Sequence, residues 1–401
     1  MARGMDVPDE IAIPQAVIAI LRRLEDAGYE TWCVGGAIRD ALAGNAHQDI
    51  DLATSATPGA VQGLFRRTVA VGVEHGTVGV LDDDGVLHEV TTFRRDVQTD
   101  GRHAVVSFGV SLDDDLARRD FTINAIAYHP LRHEWRDPFH GRADFRAGIV
   151  RAVGDPAARF REDRLRILRA LRFAARFGFV IEPATWDAAR AQAADTGHLS
   201  AERVRDEWVK GIKSALSLDA LVQRWCDSGV ASVWIPECRR PGPGRTAAAA
   251  PIMPAGRDPV RVTAIYCSPA GSVWRRLKGS NIEIHRAEAI DRGPLRPASN
   301  SPRDVRRWMA LVGGAVEDLK VLAVWRGDDG DNWPLVVGQI RDRREATTRA
   351  ELAVKGSDLL MSGVAPGPAI GRMLDRLLDA VLDDPKLNNR DALLALAGRG
   401  E

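Results

Sequence analysis

Cysteine is scarce in this chain, and its spacing excludes two classes of protein. Four cysteines occur in 401 residues, at positions 33, 226, 238 and 267, and no two of them form a C-x-x-C pair. No histidine stands at zinc-ligand spacing from them. A disulfide framework and a structural zinc site are therefore not expected, and a reducing cytoplasm is the compartment that fits best.

Long apolar runs and an excess of charge are also missing. No 18 consecutive apolar residues occur, and residues 1–10 carry acids instead of the apolar core of a signal peptide. The 55 basic residues balance the 55 acidic ones, so the whole chain has no field that would attract a polyanion. We expect neither secretion nor a membrane partner, and a nucleic-acid surface would have to be local.

The material that is present is globular, and its pattern changes along the chain. With 45% apolar residues, 401 positions support two or three domains. The first 150 residues alternate strand-like runs, glycine turns and short helices, whereas helical periodicity dominates later. We expect an N-terminal helix at 1–27, an α+β domain at 28–150, a helical domain at 151–238, a flexible Pro-, Gly- and Ala-rich insertion at 239–259, and a helical body and tail at 260–401.

A double glycine followed by two spaced aspartates carries the strongest chemical signal. Gly35 and Gly36 separate a predicted strand from a predicted helix, and Asp49 and Asp51 lie on the next strand. Alternate residues of a strand share a face, so both carboxylates can bridge two Mg²⁺ ions. The backbone N–H groups of the turn and the guanidinium of Arg39 suit a triphosphate. Each part alone would be an ordinary turn or loop, but together they predict a nucleoside-triphosphate site.

This combination resembles the nucleotidyltransferase superfamily that includes DNA polymerase beta. More segments follow in the order seen in class II tRNA nucleotidyltransferases, the CCA-adding enzymes, and in their poly(A) polymerase relatives: GYETWCVGGAIRDALAG, DIDLATSATP, GVEHGTVGV, EVTTFRRD, LARRDFTINAIAY, FREDRLRILRALRFAARFGF and ERVRDE. The resemblance implies an α+β fold, in which a small mixed β-sheet nucleotidyltransferase head precedes an all-helical neck, body and tail that bind tRNA.

The resemblance assigns roles to two further groups in the head. It places Arg119, Asp120 and Asn124, within the segment RRDFTIN, at the ribose and phosphate of the nucleotide. A carboxylate accepts hydrogen bonds from ribose hydroxyls and an amide can donate and accept, which favours ribonucleotides. On spacing alone, Asp120 would be a helix cap beside surface arginines. Glu89 stands where the superfamily often has a third catalytic acid.

The resemblance also assigns base selection to the next motif. We expect one helix over residues 159–177 that carries Glu162, Asp163 and Arg166. Taken alone, Asp163 and Arg166 would form an intrahelical ion pair. In the class II enzymes the matching Asp and Arg act as a template for the incoming base. CTP and ATP both offer an amino donor beside a ring-nitrogen acceptor, which this pair complements, whereas UTP and GTP offer a carbonyl beside a ring N–H.

Three expectations concern the surroundings of that helix. The resemblance gives Glu202, Arg203 and Glu207 a bracing role, although an exposed charge cluster has the same spacing. The polar segment 94–108 resembles the flexible loop that the family needs for switching to A addition. Residues 142–176 hold ten arginines against four acids, which predicts either a basic surface for the acceptor stem or a solvated arginine-rich face.

These patterns together predict template-independent addition of CMP, CMP and AMP to the 3′ end of tRNA. CTP and ATP are the expected substrates, two Mg²⁺ ions the expected cofactors, and DNA is not an expected partner. A poly(A) polymerase or an A-only enzyme is the alternative within the same family. A non-catalytic RNA-binding scaffold is the alternative from another class, which the presence of both Asp49 and Asp51 disfavours.

Overall fold

The structure is a computed structural model that describes residues 7–44, 50–99, 104–242, 257–326 and 332–398. Two units, Met1–Pro236 and Glu237–Glu401, hold most of their contacts internally. Within the described ranges, no helix is both long enough and apolar enough to cross a membrane. The finer domain boundaries expected from composition stay a prediction.

The described strands lie in the first unit, where seven build one large mixed sheet and four form two separate two-stranded sheets. In chain order they are β1 (Thr31–Val34), β2 (Asp51–Thr54), β3 (Thr68–Gly72), β4 (Thr77–Leu81), β5 (Leu87–Thr92), β6 (Arg94–Thr99), β7 (Ala104–Phe108), β8 (Ala127–His129), β9 (Glu134–Arg136), β10 (Ile149–Val150) and β11 (Val180–Ile181). The seven-stranded sheet has the order β3-β4-β5-β2-β1-β8-β9. Its neighbours are antiparallel except β2 and β5, which run parallel.

Helices fill the remainder of the first unit and build the second. Those of the first unit are α1 (Gln15–Asp26), α2 (Gly36–Leu42), α3 (Pro58–Leu64), α4 (Leu112–Ala117), α5 (Gly141–Ala147), α6 (Pro156–Glu162), α7 (Leu165–Phe177), α8 (Pro183–Ala191), α9 (Ala201–Ser214), α10 (Leu218–Ser228) and α11 (Val230–Trp234). Those of the second are α12 (Pro259–Tyr266), α13 (Ala270–Arg276), α14 (Asn281–Arg292), α15 (Pro302–Val312), α16 (Val316–Trp325), α17 (Trp333–Asp342), α18 (Gly356–Met361), α19 (Pro368–Asp383) and α20 (Arg390–Ala397). The expected mixed-sheet head followed by helices is confirmed.

The single helix expected over residues 159–177 is wrong, because the chain breaks at Asp163. Helix α6 ends at Glu162, and Asp163 has an extended backbone with φ −146° and ψ 106°. The Asp163 carboxylate accepts a hydrogen bond from the backbone N–H of Leu165 at 3.0 Å. An aspartate that bonds to nearby backbone N–H groups competes with helix continuation, so α7 starts afresh. The corner between α6 and α7 therefore exposes Asp163 in a way that a continuous helix would not.

Segment 94–108, which we expected to be a flexible loop, contains two paired strands. Strands β6 and β7 form a separate antiparallel two-stranded sheet with Arg94 opposite Phe108. Residues 100–103, including the expected loop tip, lie outside the described residues. The connection is a β-ribbon in its described part.

Helix α7 joins the head through its aromatic face. The ring of Phe173 meets Phe121 of the RRDFTIN segment edge-on, with centroids 5.9 Å apart. Both rings are buried, so the contact combines apolar burial with a favourable ring geometry. This packing fixes α7, and the corner before it, beside the RRDFTIN segment.

Candidate active site

One cavity of about 560 Å³ in the first unit gathers most of the predicted site residues. Its wall combines the sheet, the start of α2, the RRDFTIN segment, the α6–α7 corner and α9. Eleven predicted residues line it: Gly35, Gly36, Arg39, Asp51, Glu89, Arg119, Asp120, Asn124, Asp163, Arg166 and Arg203. Asp49 lies outside the described residues, and Glu162, Glu202 and Glu207 are not part of the wall.

Gly35 and Asp51 come into close contact because their strands pair. Strand β1 pairs antiparallel with β2, and Val34 lies opposite Asp51. Gly35 follows with a φ of +88°, and a Cβ on it would lie 2.8 Å from Oδ2 of Asp51. Only glycine combines that backbone conformation with that approach. The double glycine is thus more than a turn, since it makes room for the carboxylate.

Asp51 and Glu89 share one face of the sheet. Strands β2 and β5 are parallel neighbours, with Leu52 opposite Val90. Asp51 immediately precedes Leu52, and Glu89 immediately precedes Val90. Both acidic residues line the cavity. The second acidic side chain thus comes from a strand that is adjacent in the sheet and distant in sequence.

These two carboxylates fit a hard divalent cation. Carboxylate oxygens are the protein ligands that Mg²⁺ prefers, and Oδ2 of Asp51 lies against a turn where no Cβ intrudes. Over the ranges that the structure describes, no group of three or more His, Cys, Asp or Glu side chains is placed to hold a metal. The expected second aspartate of the motif, Asp49, belongs to the part that is not described.

Arg39, expected to bind the triphosphate, lines the cavity but is buried in a network of contacts within the protein. Its Nε and Nη2 both donate to Oδ1 of Asp40, at 3.0 and 2.9 Å, and its Nη1 donates to Oδ1 of Asn124 at 2.7 Å. The guanidinium also lies over the ring of Phe173, 4.7 Å from its centroid. Burial lowers the pKa of Arg39, and the charge of Asp40 opposes that effect. Three of its five N–H donors are engaged within the protein.

Asn124 and Asp120 continue the same network. Asn124 donates from Nδ2 to Oδ1 of Asp120 at 2.8 Å, and Nε of Arg169 donates to Oδ2 of Asp120 at 2.6 Å. Burial would raise the pKa of Asp120, but the charge of Arg169 and the bond from Asn124 outweigh burial and hold that pKa below its usual value. Asp120 is only 8% exposed and caps no α-helix, so the surface interpretation of this motif is wrong.

Asp115, which was not among the predicted site residues, holds the two arginines of the same motif. Oδ1 of Asp115 accepts from Nε of Arg118 at 2.9 Å, and Oδ2 accepts from Nη2 of Arg119 at 3.3 Å. Burial would raise the pKa of Asp115, but the charges of both arginines outweigh it and lower that pKa. The spacing of three and four residues on α4 is the signal that could have identified Asp115.

Asp163 pairs with α9 and not with Arg166. Nη2 of Arg203 donates to both carboxylate oxygens of Asp163, at 3.2 and 3.0 Å. Arg166 instead donates from Nη1 to Oε2 of Glu162 at 2.9 Å and from Nη2 to the backbone oxygen of Arg118 at 3.0 Å. The intrahelical Asp163–Arg166 pair, which spacing alone suggested, is wrong because the chain breaks between the two helices.

The other two residues of the α9 motif occupy different environments. Glu207 is buried and accepts from Nε of Arg172 on α7 at 2.6 Å, which ties α9 to α7. Glu202 lies on the first turn of α9 and is partly exposed. Glu207 and Arg203, both expected to brace the template helix, therefore contact α7 and the corner before it.

The arginines of segment 142–176, for which the sequence left open a basic surface or a solvated face, are mostly paired with acids. Eight of the ten make ion pairs with acids inside the first unit: Arg142 with Asp9, Arg151 with Asp144, Arg159 and Arg166 with Glu162, Arg161 with Asp155, Arg169 with Asp120, Arg172 with Glu207, and Arg176 with Asp40. Several of these acids lie outside residues 142–176. A count of charged residues within the segment therefore overstates its unpaired positive charge.

Comparison with known proteins identifies the class of this chain. Residues 31–151 match the model described as Poly A polymerase head domain, 178–239 match the RNA and SrmB-binding site of polymerase A, and 318–397 match tRNA nucleotidyltransferase domain 2. The cavity residues Gly35, Asp51 and Asp120 all lie within the first match. The head is a nucleotidyltransferase domain.

Full-length relatives narrow this class to one family. The chain is 34% identical over 400 residues to the CCA-adding enzyme of Limosilactobacillus fermentum, covering 94% of this chain and 95% of that protein. It is 35% identical to the enzyme of Leuconostoc mesenteroides, with 95% and 96% covered. The crystal structure of the Bacillus stearothermophilus CCA-adding enzyme in complex with CTP superposes with a TM-score of 0.76 at 31% identity, and each chain is 96% covered. The chain belongs to the family of CCA-adding enzymes, nucleotidyltransferases that generally use divalent metal ions.

Proposed function

We propose that this protein adds CMP, CMP and AMP, taken from CTP and ATP, to the 3′ end of tRNA and releases pyrophosphate. The observation that carries the proposal is that Asp163 and Arg166 line the same cavity as Asp51 and Glu89. A base-reading pair and a pair of acidic side chains in one cavity suit a transferase that selects its nucleotide without a nucleic-acid template. Family membership, including a relative in complex with CTP, supports the same conclusion.

Asp51, together with Asp49 from the same motif, would hold the metal, and Glu89 adds a third acidic group. Mg²⁺ held by these carboxylates, two ions as the sequence predicts, would help to activate the attacking 3′-hydroxyl and to neutralise charge on the triphosphate. The role of Gly35 is to leave space beside Oδ2 of Asp51, so that the carboxylate can face the cavity. The N–H groups of Gly35 and Gly36 and the guanidiniums of Arg118 and Arg119 are the candidate phosphate donors.

Asp120 and Asn124 would bind the ribose. The Asn124 amide is oriented from both sides, since Oδ1 accepts from Arg39 and Nδ2 donates to Asp120. That orientation leaves one Nδ2 hydrogen available to a hydroxyl oxygen, while Asp120 can accept from a hydroxyl hydrogen. In this arrangement Arg39 orients the Asn124 amide. Any contact that Arg39 makes with the triphosphate would be an additional role.

Asp163 and Arg166 would read the base. Arg203 holds the Asp163 carboxylate, whose oxygens can each accept a further bond from an exocyclic amino group. Contacts with Glu162 and Arg118 orient Arg166 towards the cavity. A base that offers an amino donor beside a ring-nitrogen acceptor matches both groups, whereas UTP and GTP would place a carbonyl against the carboxylate.

The test is to incubate the full chain with tRNA that lacks CCA and with each NTP, alone and in combination, and to size the products. We expect CTP alone to add two nucleotides, ATP alone to add none, and both together to add three. Asp51→Asn is the control for contamination and should abolish every product. A long ladder from ATP alone would establish a poly(A) polymerase, and addition only to a tRNA ending in CC would establish an A-only enzyme.

The alternative from another class has its own outcome in the same experiment. A non-catalytic scaffold would retain tRNA in a gel-shift assay and yield no extended product with any NTP. A tRNA-processing reaction also agrees with the cytoplasmic location that the sequence predicted, and that location stays a prediction.

A further inference from the structure

Cys238 and Cys267 lie directly opposite each other in the second unit, although 28 residues separate them in the sequence. They form an isolated antiparallel β-bridge. Its flanking bonds run from the backbone N–H of Arg239 to the oxygen of Tyr266, at 2.8 Å, and from the N–H of Ser268 to the oxygen of Glu237, at 3.3 Å. These bonds identify the cysteines as a non-hydrogen-bonded pair, the position in which opposed side chains come closest.

The geometry of such a pair meets the main requirement for a disulfide. Cα atoms in non-hydrogen-bonded antiparallel pairs are about 4.5 Å apart. Disulfides need Cα atoms within roughly 4.4–6.8 Å and side chains that point the same way. Opposed residues of a bridge project to one face, so both thiols meet this condition. The sequence spacing that argued against a disulfide framework does not reveal this proximity, which the fold creates.

The surroundings favour reaction at this pair. Cys238 is partly exposed and Cys267 is buried, so Cys238 is the cysteine of the pair that a small oxidant reaches more easily. Arg276 donates to both carboxylate oxygens of Glu237, at 2.8 and 2.6 Å. The hydrogen bond to Glu237 raises the pKa of Arg276, and burial lowers that pKa. The proximity of Cys267 makes a smaller contribution that also raises the pKa of Arg276. The Glu237–Arg276 ion pair therefore lies beside the two cysteines.

We propose that Cys238 and Cys267 are a redox-active dithiol that peroxide converts to an intramolecular disulfide. The Cys238 sulfur attacks hydrogen peroxide, the O–O bond breaks, and a sulfenic acid and one water form. The Cys267 sulfur then attacks the sulfenic sulfur, the S–O bond breaks, and the disulfide and a second water form. The two thiols lose two electrons and two protons, and the peroxide takes them up.

The product would close a loop over residues 239–266, which include the insertion. Cross-links of this kind stabilise a fold mainly by restricting the unfolded chain. The remaining thiols are poorer candidates: burial raises the pKa of Cys33 well above its usual value, and Cys226 lies on α10 in the other unit. The inference is independent of the proposed enzymatic function.

The experiment treats the full chain with hydrogen peroxide, blocks the remaining thiols with iodoacetamide, and maps the linkage by mass spectrometry. Digestion with trypsin and Asp-N separates Cys226 from Cys238, because a cleavage site at Asp227 lies between them. We expect a peptide containing Cys238 linked to one containing Cys267, a loss of 2 Da, and full reversal by dithiothreitol. The wild-type chain suffices for this measurement, so it does not depend on whether a variant folds.

Stability and a matched variant complete the test. Oxidation should raise the urea midpoint of the wild-type protein and leave that of Cys238→Ser unchanged, whereas Cys226→Ser should respond like the wild type. The proposal would be overturned if peroxide oxidised other thiols while Cys238 and Cys267 were each recovered in the alkylated form. A linkage between any other pair, or between two chains, would overturn it as well.

Discussion

Arg203 on α9 donates hydrogen bonds to both carboxylate oxygens of Asp163, 40 residues earlier, at 3.2 and 3.0 Å. This contact occurs at the corner where α6 ends and α7 begins. The contact holds the carboxylate of Asp163, which lies just after the end of α6. Asp163 and Asp51 line the same cavity. The position of Asp163, the carboxylate that we propose reads the base, thus depends on α9 as well as on its own motif.

Removal of Arg203 should therefore relax base selection more than it slows the reaction. In Arg203→Ala the Asp163 side chain loses its two fixed bonds and samples other rotamers. Both partners are partly exposed, so we expect a loss of about 1 kcal/mol, or roughly fivefold, in discrimination between CTP and UTP. The ratio of kcat/KM for the two nucleotides measures this loss. Arg205→Ala, on the same helix, is the control and should leave the ratio unchanged.

Gly35→Ala should impair nucleotide transfer through Asp51. The new Cβ would lie 2.8 Å from Oδ2 of Asp51, so the carboxylate must move. Gly28→Ala is a matched control, because Gly28 has a nearly equal φ of +86° and nothing within 4 Å of an added Cβ. Both variants carry about 1–3 kcal/mol of backbone strain. Only Gly35→Ala should lose about 100-fold in transfer rate. Equal activities in two folded variants would show that the approach to Asp51 is unimportant.

The acid stability of the protein should depend on Asp120. The pKa of Asp120 is lower in the folded state than in the unfolded chain, so its charge stabilises the fold above the unfolded value, near 4. That stabilisation is lost as the pH falls through the folded value. We expect Asp120→Asn to unfold more easily at pH 7, by about 1–3 kcal/mol, and to lose less stability between pH 5 and 3 than the wild type. Urea midpoints across this range provide the measurement, and parallel curves would contradict it.

Most of the insertion at 239–259 should be dispensable for nucleotide addition, but its last residues contribute to the stability of the second unit. Asp258 caps α12 through the N–H of Arg261 at 2.9 Å and pairs with Arg286 at 2.8 Å. Replacing residues 243–256 with a short Gly-Ser bridge should keep both C and A addition. A deletion over the whole of 239–259 removes the cap and should lower stability by about 1 kcal/mol or more. Loss of activity from the shorter deletion, with unchanged thermal stability, would make the insertion a tRNA contact.

Local patterns predicted the strand and turn that place Asp51, because alternation along a strand and a glycine turn depend on neighbours in sequence. They could not predict the break at Asp163, since buried Phe160 and Ile167 continue the helical apolar stripe across it. At the break, the Asp163 carboxylate bonds to the N–H of Leu165 and to Arg203, and this second partner lies 40 residues away in the sequence.

Long-range polar contacts explain the other differences from expectation. Arg39 and Asn124 are 85 residues apart, yet their side chains bond at 2.7 Å. Motif spacing indicates that both belong to a nucleotide site, but it cannot distinguish an arginine that binds phosphate from one that orients an amide. The same holds for Arg169, whose partner Asp120 lies 49 residues earlier.

The most direct test of the account is the base preference of Asp163→Asn and Arg166→Ala on tRNA that lacks CCA. An amide at position 163 can donate as well as accept, and removal of Arg166 deletes the donors for the ring nitrogen, so the penalty against UTP and GTP should fall. Loss of such a contact is typically worth about 1–3 kcal/mol, or roughly 5- to 150-fold. We predict that incorporation of UTP and GTP rises by that factor relative to CTP and ATP. Equal loss of activity towards all four nucleotides, with unchanged ratios, would contradict base reading by this pair.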